Sequence, residues 1–366
     1  MMRRASTAEP PCPASIAAIW RSVAPTITEL RSARRRLHGK AVVIAAMLAA
    51  AYYALVVADL GLLVRLGAAG LLIVSSVALA TGVMHDANHG SFSRLKWLNR
   101  TLAWTSDALG ASSHLWRIQH NQLHHSHTNV VGYDADIELG PWARVAPGQS
   151  WRPRYRWQHI YIWPLYGFLA IKNLLVSDLL SLVHGRIGQQ PIRTPITVGL
   201  VARITLGKCA HLAWAVVIPI MFNPWWAVLA FYAVCSWTVG LILAVIFQVA
   251  HCVDTVEAVD AGSPRRGHDF AAHQLRTTVD VATPGPIGGP LLRWIAGGLD
   301  HQIEHHLAPG LPHTIYPTLA ARFRTALAQH DIRYRVHASP LRALRAHARW
   351  LRTMGVQPII QGVSST

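Results

Sequence analysis

The chain has 366 residues, of which 52% are hydrophobic and only 14% are charged. Soluble domains usually carry about 25% charged residues, so this composition argues against an ordinary soluble domain. The formal net charge of +17 could suit a nucleic acid. No recognition motif for nucleic acid accompanies that charge, and we expect no nucleic-acid partner.

The chain begins with a basic segment. The stretch "RSARRRLHGK" at 31–40 precedes an uncharged run that starts at Ala41. Basic segments beside a membrane span favour the cytoplasmic side and are attracted to anionic lipid. We therefore predict a basic N-terminal cytosolic segment over residues 1–40. No short apolar stretch with a small-residue cleavage site is present, so we expect no cleaved signal peptide.

Four long apolar runs come next, each of about the length that crosses a bilayer. A spanning helix needs roughly 20 apolar residues, and we predict spans over about 41–59, 65–84, 200–222 and 225–249. The last two are separated by Asn223-Pro224, a pair that breaks helices. The sequence therefore predicts an all-α integral membrane protein with four transmembrane helices, a membrane domain over 41–356 and a tail over 357–366.

The order of spans and loops predicts which segments share one side of the membrane. If residues 1–40 are cytoplasmic, the first two spans go out and return, and so do the last two. The segment from 85 to about 199 and the part of the chain after 250 then lie on the cytoplasmic side. We expect this multi-pass protein in a bacterial inner or plasma membrane, with its polar segments on that side.

Three histidine-rich motifs fall in these segments. Histidines four apart on a helix share a face, and imidazole nitrogens bind iron, copper, zinc and nickel. The candidate ligands are His85 and His89 in "HDANH", His120, His124 and His125 in "HNQLHH", and His305 and His306 in "HQIEHH". His251 is added because it ends the fourth span as His85 ends the second.

So many imidazoles exceed the needs of one metal ion. A single zinc is saturated by four ligands, so two metal ions account best for seven or eight clustered histidines. Asp86 and Glu304 lie within the motifs, and we predict that they hold the second N–H of ligating rings. None of the four cysteines forms a CxxC pair, so neither an iron–sulfur cluster nor a thiolate zinc site is indicated.

These motifs resemble those of the membrane-bound fatty acid desaturases. The matching text is "HDANHGSF", "HNQLHH" and "GGLDHQIEHHLAP", and the last is similar to the box of front-end and linoleoyl-CoA-type members, in which glutamine replaces the first histidine. The segments "HQLRTTVD" and "SPLRALRAHARWLRTMG" also look familial, and the resemblance covers roughly residues 40 to 356.

The resemblance implies four membrane helices beneath a cytosolic helical cap that holds a di-iron site. It implies that two iron ions are the cofactors and that the seven box histidines are ligands, with Gln302 in the substituted position and His251 as the additional histidine after the fourth span. The implied reaction is oxygen-dependent desaturation of a fatty acyl chain carried by coenzyme A, a carrier protein or a membrane lipid, with dioxygen as co-substrate.

The reaction consumes electrons, and their source is not evident within the chain. Many front-end members carry a haem domain marked by His-Pro-Gly-Gly, and this motif is absent here. The implied partners are therefore an acyl substrate, membrane lipid and an external electron donor such as a ferredoxin or a cytochrome. An acidic donor would be steered towards the basic runs at 152–156, 264–266 and 322–352, although anionic lipid would be attracted to them equally.

Two other functions fit part of this pattern. A hydroxylase, epoxidase or acetylenase could use the same di-iron scaffold, and the mass of the product would separate it from a desaturase. A histidine-rich metal transporter would place ionisable groups near the bilayer midplane. The apolar runs are nearly free of such groups and the histidines lie at their ends, which favours the enzyme.

Overall fold

The computed structural model of the protein describes residues 15–260 and 270–358. Most of the predicted tail and the basic run at 264–266 lie outside the described residues, as do residues 1–14 of the N-terminal segment. The described chain is mainly helical, and its four longest helices have the length and composition of membrane spans. Here they are named span 1 (Ile27–Val56), span 2 (Leu62–Asn88), span 3 (Val198–Phe222) and span 4 (Trp225–His251).

Span 1 starts well before the predicted boundary at Ala41. Thr26 caps its first turn, because the Thr26 side chain accepts the Glu29 N–H while the Glu29 carboxylate accepts the Thr26 N–H. The basic run at 31–40 is therefore helical and continuous with the membrane helix. It packs against the C-terminal part of the chain, where the Arg36 guanidinium donates to the Thr314 carbonyl at 3.2 Å.

Two helices contain wide π-type turns at the histidine motifs. Leu79–Met84 in span 2 is π-helical and leads directly into His85. Ile118–His124 is also π-helical and carries most of the second motif. Such segments are rare and often mark functional sites. The wider turn changes the direction of successive side chains, so the regular α-helical spacing used for the sequence prediction does not hold for the second motif.

One further helix pair was not anticipated from the sequence. The helical stretches Pro153–Tyr166 and Leu169–His184 are long and apolar enough together to be a membrane candidate, but they bend by 76° at their junction. Val183 and Leu179 are among the exposed apolar side chains on the second stretch. The sequence analysis placed this whole region outside the membrane.

The remaining elements are short. Outside the four spans the helices are Ile16–Ser22, Lys96–Ala103, Thr105–Ala108, Ser113–Arg117, Ile118–His124, Ala135–Ile137, Pro153–Trp157, Gln158–Tyr166, Leu169–Lys172, Asn173–Ser177, Asp178–His184, Phe270–Thr277, Gly288–Ala296, Gln302–Leu307, His313–Ile315, Tyr316–Ala328 and Pro340–Gly355. Arg186–Ile187 pairs antiparallel with Gln190–Pro191, and Asp280–Val281 pairs parallel with Val336–His337.

A close backbone contact brings the third histidine motif to the end of span 2. Gly297 has a φ of +63°, and a Cβ there would clash with the Thr81 carbonyl. Gly298 has a φ of +76°, and its Cβ would lie 2.8 Å from the His313 Cβ. Only glycine tolerates both the left-handed backbone and this approach. The "GG" before "LDHQIEHH" therefore lets the third motif lie against the first.

Candidate metal centre

The three motifs and the end of span 4 meet in one buried cluster. Possible ligand atoms lie within 4.8 Å of one another in each of three overlapping histidine groups. The first group contains His85, His89, His120 and His305, the second His124, His251 and His306, and the third His125, His305 and His306. All eight histidines singled out from the sequence thus come together, although their helices are far apart in the chain.

The spacing within a motif does not decide which group a histidine joins. His85 and His89 belong to the same group, whereas His120 and His124, which are also four apart, belong to different ones. The second pair lies in the π-helical segment, where the two rings stack with centroids 5.2 Å apart. The adjacent His305 and His306 also divide between the first and second groups.

Several ring nitrogens in the cluster converge on one another. The His120 Nε2 lies 3.3 Å from the His85 Nε2 and 3.2 Å from the His125 Nε2. Within the described part of the chain, the buried nitrogens without a hydrogen-bond partner include the Nε2 atoms of His89, His124, His305 and His306 and both ring nitrogens of His251. Buried polar atoms are nearly always paired. A cluster of unpaired lone pairs fits bound metal cations, so these residues suit the implied metal centre.

The opposite edges of several rings are held by hydrogen bonds. The His124 Nδ1 lies 3.0 Å from the Asp134 carboxylate, and the His120 Nδ1 lies 3.2 Å from that of Asp136. The His306 Nδ1 lies 3.0 Å from the Gln274 Oε1. Each acceptor places the ring proton on Nδ1 and leaves the Nε2 lone pair facing the cluster. The histidine motifs themselves do not indicate these partners, although Asp134 and Asp136 follow the second motif closely.

Burial favours the form of the imidazole that binds metal. Desolvation, followed by the charges of neighbouring histidines, lowers the pKa of His120, His125 and His306 well below 6.5. Burial also lowers the pKa of His124, but the Asp134 and Asp136 carboxylates outweigh it and raise that pKa to about 8. Neutral imidazole is the ligand form, so most of the cluster is ready to bind metal near neutral pH.

Asp86 and Glu304 have other partners than the ones predicted. The Asp86 carboxylate is 3.9 Å from the His85 Nδ1, too far for a hydrogen bond, and accepts instead from His313 at 3.0 Å. The Glu304 carboxyl contacts the Tyr334 hydroxyl at 3.1 Å. Both residues are fully buried, and both connect their motif to the C-terminal part of the chain rather than to the ligating rings.

Gln302 is buried beside the cluster, and neither of its amide atoms has a hydrogen-bond partner among residues 15–260 and 270–358. It is 1% exposed, and buried amides are nearly always paired, so this one is suited to a further partner. This environment suits the position that the sequence analysis assigned to it, as a ligand acting directly or through water.

An apolar cavity of about 570 Å³ lies among the four spans and reaches the cluster. Its walls are mostly apolar, and they include Leu66 and Ala69 from span 2 and Phe247 from span 4. His85 and Trp116 line the end at the cluster, and the Trp116 ring stacks on His120 with centroids 4.4 Å apart. Ligand sites are commonly cavities of this size with apolar walls and a few polar groups.

Known proteins with similar sequences are named as desaturases. The sequence model of the family described as "Fatty acid desaturase" matches residues 60–338. The chain is 32% identical over 283 residues to the "sn-1 linoleoyl-lipid 6-desaturase" of Arthrospira platensis, covering 77% of this chain and 75% of that protein. It is 33% identical over 297 residues to the protein of the same name in Synechocystis sp., covering 80% and 81%.

A plant relative shows the same resemblance over a smaller share of its length. The "Acyl-lipid (8-3)-desaturase" of Physcomitrium patens is 34% identical over 286 residues, which covers 76% of this chain and 58% of that protein. The family match over residues 60–338 contains the three histidine motifs and spans 2, 3 and 4.

Proposed function

The chain belongs to the fatty acid desaturase family and is a lipid-modifying oxidoreductase, and from that premise we propose that it desaturates the acyl chain of a membrane lipid at a histidine-bound pair of irons. The relatives that it resembles are named for action on acyl lipids. The observation that carries the proposal is the contact between the apolar cavity and the histidine cluster at His85.

The first and second histidine groups divide the ligands between two metal positions. His85, His89, His120 and His305 would hold one ion, and His124, His251 and His306 the other, with His125 beside both. Two irons, dioxygen and two electrons would supply the oxidising power that removes two hydrogens from adjacent methylenes, which have no acidic proton for a base to abstract. Gln302 would complete this set directly or through water.

The residues of the chain position the acyl chain and keep water away. The methylene to be oxidised would lie at the cavity end formed by Met84, His85 and Trp116. Trp116 also stacks on His120. One side chain would therefore both orient the ring of a proposed ligand and form part of the wall of the acyl site. Holding a substrate and a reactive centre at a fixed distance contributes strongly to rate and decides which carbon reacts.

The cap would lie on the cytoplasmic side. Span 1 continues into the basic run at 31–40, and basic residues beside a span favour that side. His85 at the end of span 2 and His251 at the end of span 4 both lie in the cluster, which supports a segment between the two pairs of spans that starts and ends on one side. The bent pair at 153–184 would then lie at the interface or re-enter without crossing.

Labelling of single cysteines tests this topology. Ser150→Cys should react with an impermeant maleimide only after the cell is opened, and Leu62→Cys should react from outside. Ser150 is exposed on the cap and Leu62 begins span 2 at the opposite end. Labelling of Ser150→Cys in intact cells would reverse the proposed orientation.

Electrons would come from a separate acidic carrier. Two of the basic segments named above share one face, because Pro153–Trp157 packs on Pro340–Gly355 and a Cβ at Gly355 would touch the Tyr155 carbonyl. Arg154 and Arg156 are exposed there. Charge reversal at both should raise the donor concentration needed for half-maximal rate, and salt should do the same to the native enzyme. Unchanged donor dependence with weaker membrane binding would favour lipid contact instead.

Lipid analysis of a host that expresses the protein tests the activity itself. We expect new acyl chains lighter by two hydrogens, and we expect them to disappear when His124 is replaced by alanine. Acyl chains that gain one oxygen would identify a hydroxylase or epoxidase on the same scaffold. Purified protein should contain about two irons per chain, and a stoichiometric single zinc in active enzyme would contradict the proposal.

A further inference from the structure

Three arginines lie on elements beside Trp116, which lines the cavity. Arg117 follows Trp116, which lines the cavity, and ends the helix Ser113–Arg117. Arg203 lies in the first turns of span 3, and Arg100 lies on the helix Lys96–Ala103. These three residues and His114 are called the arginine cluster below.

Packing of the underlying apolar residues fixes the cluster. Leu115 and Ile118 form one buried core with Leu200 and Ile204, so the helix that carries Arg117 lies against the start of span 3. The side chains are close enough for their charges to interact. Burial, then the charges of Arg203 and Arg100, lowers the pKa of Arg117. Burial, then Arg203 and Arg117, lowers the pKa of His114.

The positive charge of the cluster exceeds the acidic charge beside it. Asp107 is the carboxylate that acts on Arg117 among the described residues, and it also accepts the Ser113 N–H at 3.3 Å. The His114 Nε2 is buried and has no hydrogen-bond partner in the described part of the chain. Like charges repel unless an anion lies between them, and the guanidinium fork matches a phosphate.

The cluster also lies at the depth of lipid head groups. Trp97 and Trp104, at the two ends of the helix Lys96–Ala103, are 62% and 56% exposed. Exposed tryptophans beside membrane spans mark the boundary between hydrocarbon and water. Trp116 lines the cavity and Arg117 is the next residue, so a lipid with its acyl chain in the cavity would have its head group here.

We propose that Arg117 and Arg203, assisted by Arg100 and His114, bind the phosphate of a glycerophospholipid substrate whose acyl chain occupies the cavity. This inference rests on the proposed function, because it identifies the head group of the lipid to be desaturated. A soluble acyl thioester would present its phosphates above the membrane surface, beyond the level marked by the tryptophans. A neutral glycolipid has no anion to fill the cluster.

Paired lipid substrates test the proposal. Phosphatidylglycerol and a neutral galactosyl diacylglycerol with the same acyl chains are presented to the iron-loaded enzyme in nanodiscs of neutral carrier lipid, with saturating donor. Arg117→Gln and Arg203→Gln should each raise the KM for phosphatidylglycerol about tenfold, the effect of losing one charge-assisted contact. Neither should change the KM for the galactolipid. Arg21→Gln, at an exposed arginine of the helix Ile16–Ser22, whose buried Ile19 belongs to a different apolar core, should change neither KM.

A binding measurement keeps this proposal separate from the proposed activity. Radiolabelled short-chain phosphatidylglycerol should bind the native enzyme. The double variant that carries both Arg117→Gln and Arg203→Gln should bind it more weakly. If no lipid is desaturated but this charge-dependent binding persists, the proposed function fails and the phosphate site stands. The phosphate site would be overturned if the substitutions affected both lipids equally or affected neither. It would also be overturned if only an acyl-CoA substrate depended on the arginines.

Discussion

The protein buries two kinds of histidine, and their surroundings differ. In the histidine cluster, His124 has one nitrogen hydrogen-bonded to a carboxylate and one without a partner among the described residues. His347 lies outside the cluster and has both nitrogens satisfied, since its Nδ1 donates to the Cys252 carbonyl at 2.6 Å and its Nε2 accepts from the Tyr166 hydroxyl at 2.8 Å. His211 is satisfied in the same way by the Ala108 carbonyl and the Tyr232 hydroxyl.

The difference teaches how to separate a ligand from a structural histidine. Burial alone does not distinguish them, because His347 and His124 are equally inaccessible. A structural histidine uses both nitrogens within the protein and connects two elements. A candidate ligand such as His124 uses one nitrogen to fix its ring and leaves the other unpaired, an arrangement that suits a bound cation at this depth.

The largest expected effect comes from removing one ligand from each of the first two groups. His124→Ala and His305→Ala should each abolish turnover and reduce iron content, because each leaves a metal position with too few ligands. Activity and elemental analysis of the purified variants measure both. The control is His330→Ala at an exposed histidine of the same half of the chain. Full activity in His124→Ala would refute the ligand assignment.

Changing the carboxylate behind a ligand should have an intermediate effect. Asp134→Asn keeps the shape of the side chain but weakens the hold on the His124 Nδ1 proton. Loss of such a partner typically lowers metal affinity by about 10- to 100-fold. Competition with a chelator measures this. Asp254→Asn serves as the control, because Asp254 pairs with Arg349 away from the cluster. Equal affinity in Asp134→Asn and native protein would show that Asp134 does not support the ligand.

Removing a structural histidine should separate stability from metal binding. His347→Leu leaves the Cys252 carbonyl without its donor and Tyr166 without its acceptor, and each loss should cost about 1–3 kcal/mol of the free energy of unfolding. The iron content of the folded variant should remain that of the native protein. Thermal unfolding in detergent and elemental analysis test the two statements. Loss of iron from a folded His347→Leu protein would remove the distinction drawn above.

The smallest effect is the pH dependence that His347 introduces. Burial lowers its pKa to about 4, against 6.5 in the unfolded chain, so the unfolded state binds the proton more tightly. Its contribution to stability is therefore present above pH 6.5 and is lost as the pH falls towards 4, by about 2 kcal/mol between pH 7 and pH 5. The difference in unfolding between native and His347→Leu proteins should shrink over this range. A constant difference would contradict the lowered pKa.

Much of the fold could be predicted from local properties of the chain. The four spans follow from apolar runs of bilayer length. Span 4 starts directly after Asn223-Pro224, as predicted, and ends at His251, within two residues of the predicted boundary. Span 1 was predicted too short, since hydropathy detects the part of a helix in lipid and not its basic extension. The bent pair at 153–184 was missed because its apolar run is interrupted.

The ligand candidates could also be identified from sequence, but their grouping could not. The three motifs contain the histidines that the structure brings together. The π-helical turns at Leu79–Met84 and Ile118–His124 alter side-chain directions, and nothing in the residue spacing of the motifs indicates them. Asp86 is a second case. Its position next to His85 in the sequence predicts a contact between the two side chains, but its carboxylate lies against His313, more than two hundred residues away.

The sequence by itself determined the spans, the histidine motifs and the kind of chemistry, because hydropathy and ligand type are properties of each residue and its near neighbours. The tertiary structure decided which histidines share a group of candidate ligands, that Asp134 and Asp136 hold the rings of His124 and His120, and that an apolar cavity reaches His85. These features depend on contacts between distant segments, such as Gly297 against Thr81. Such contacts are set by packing of the whole chain, which no local pattern encodes.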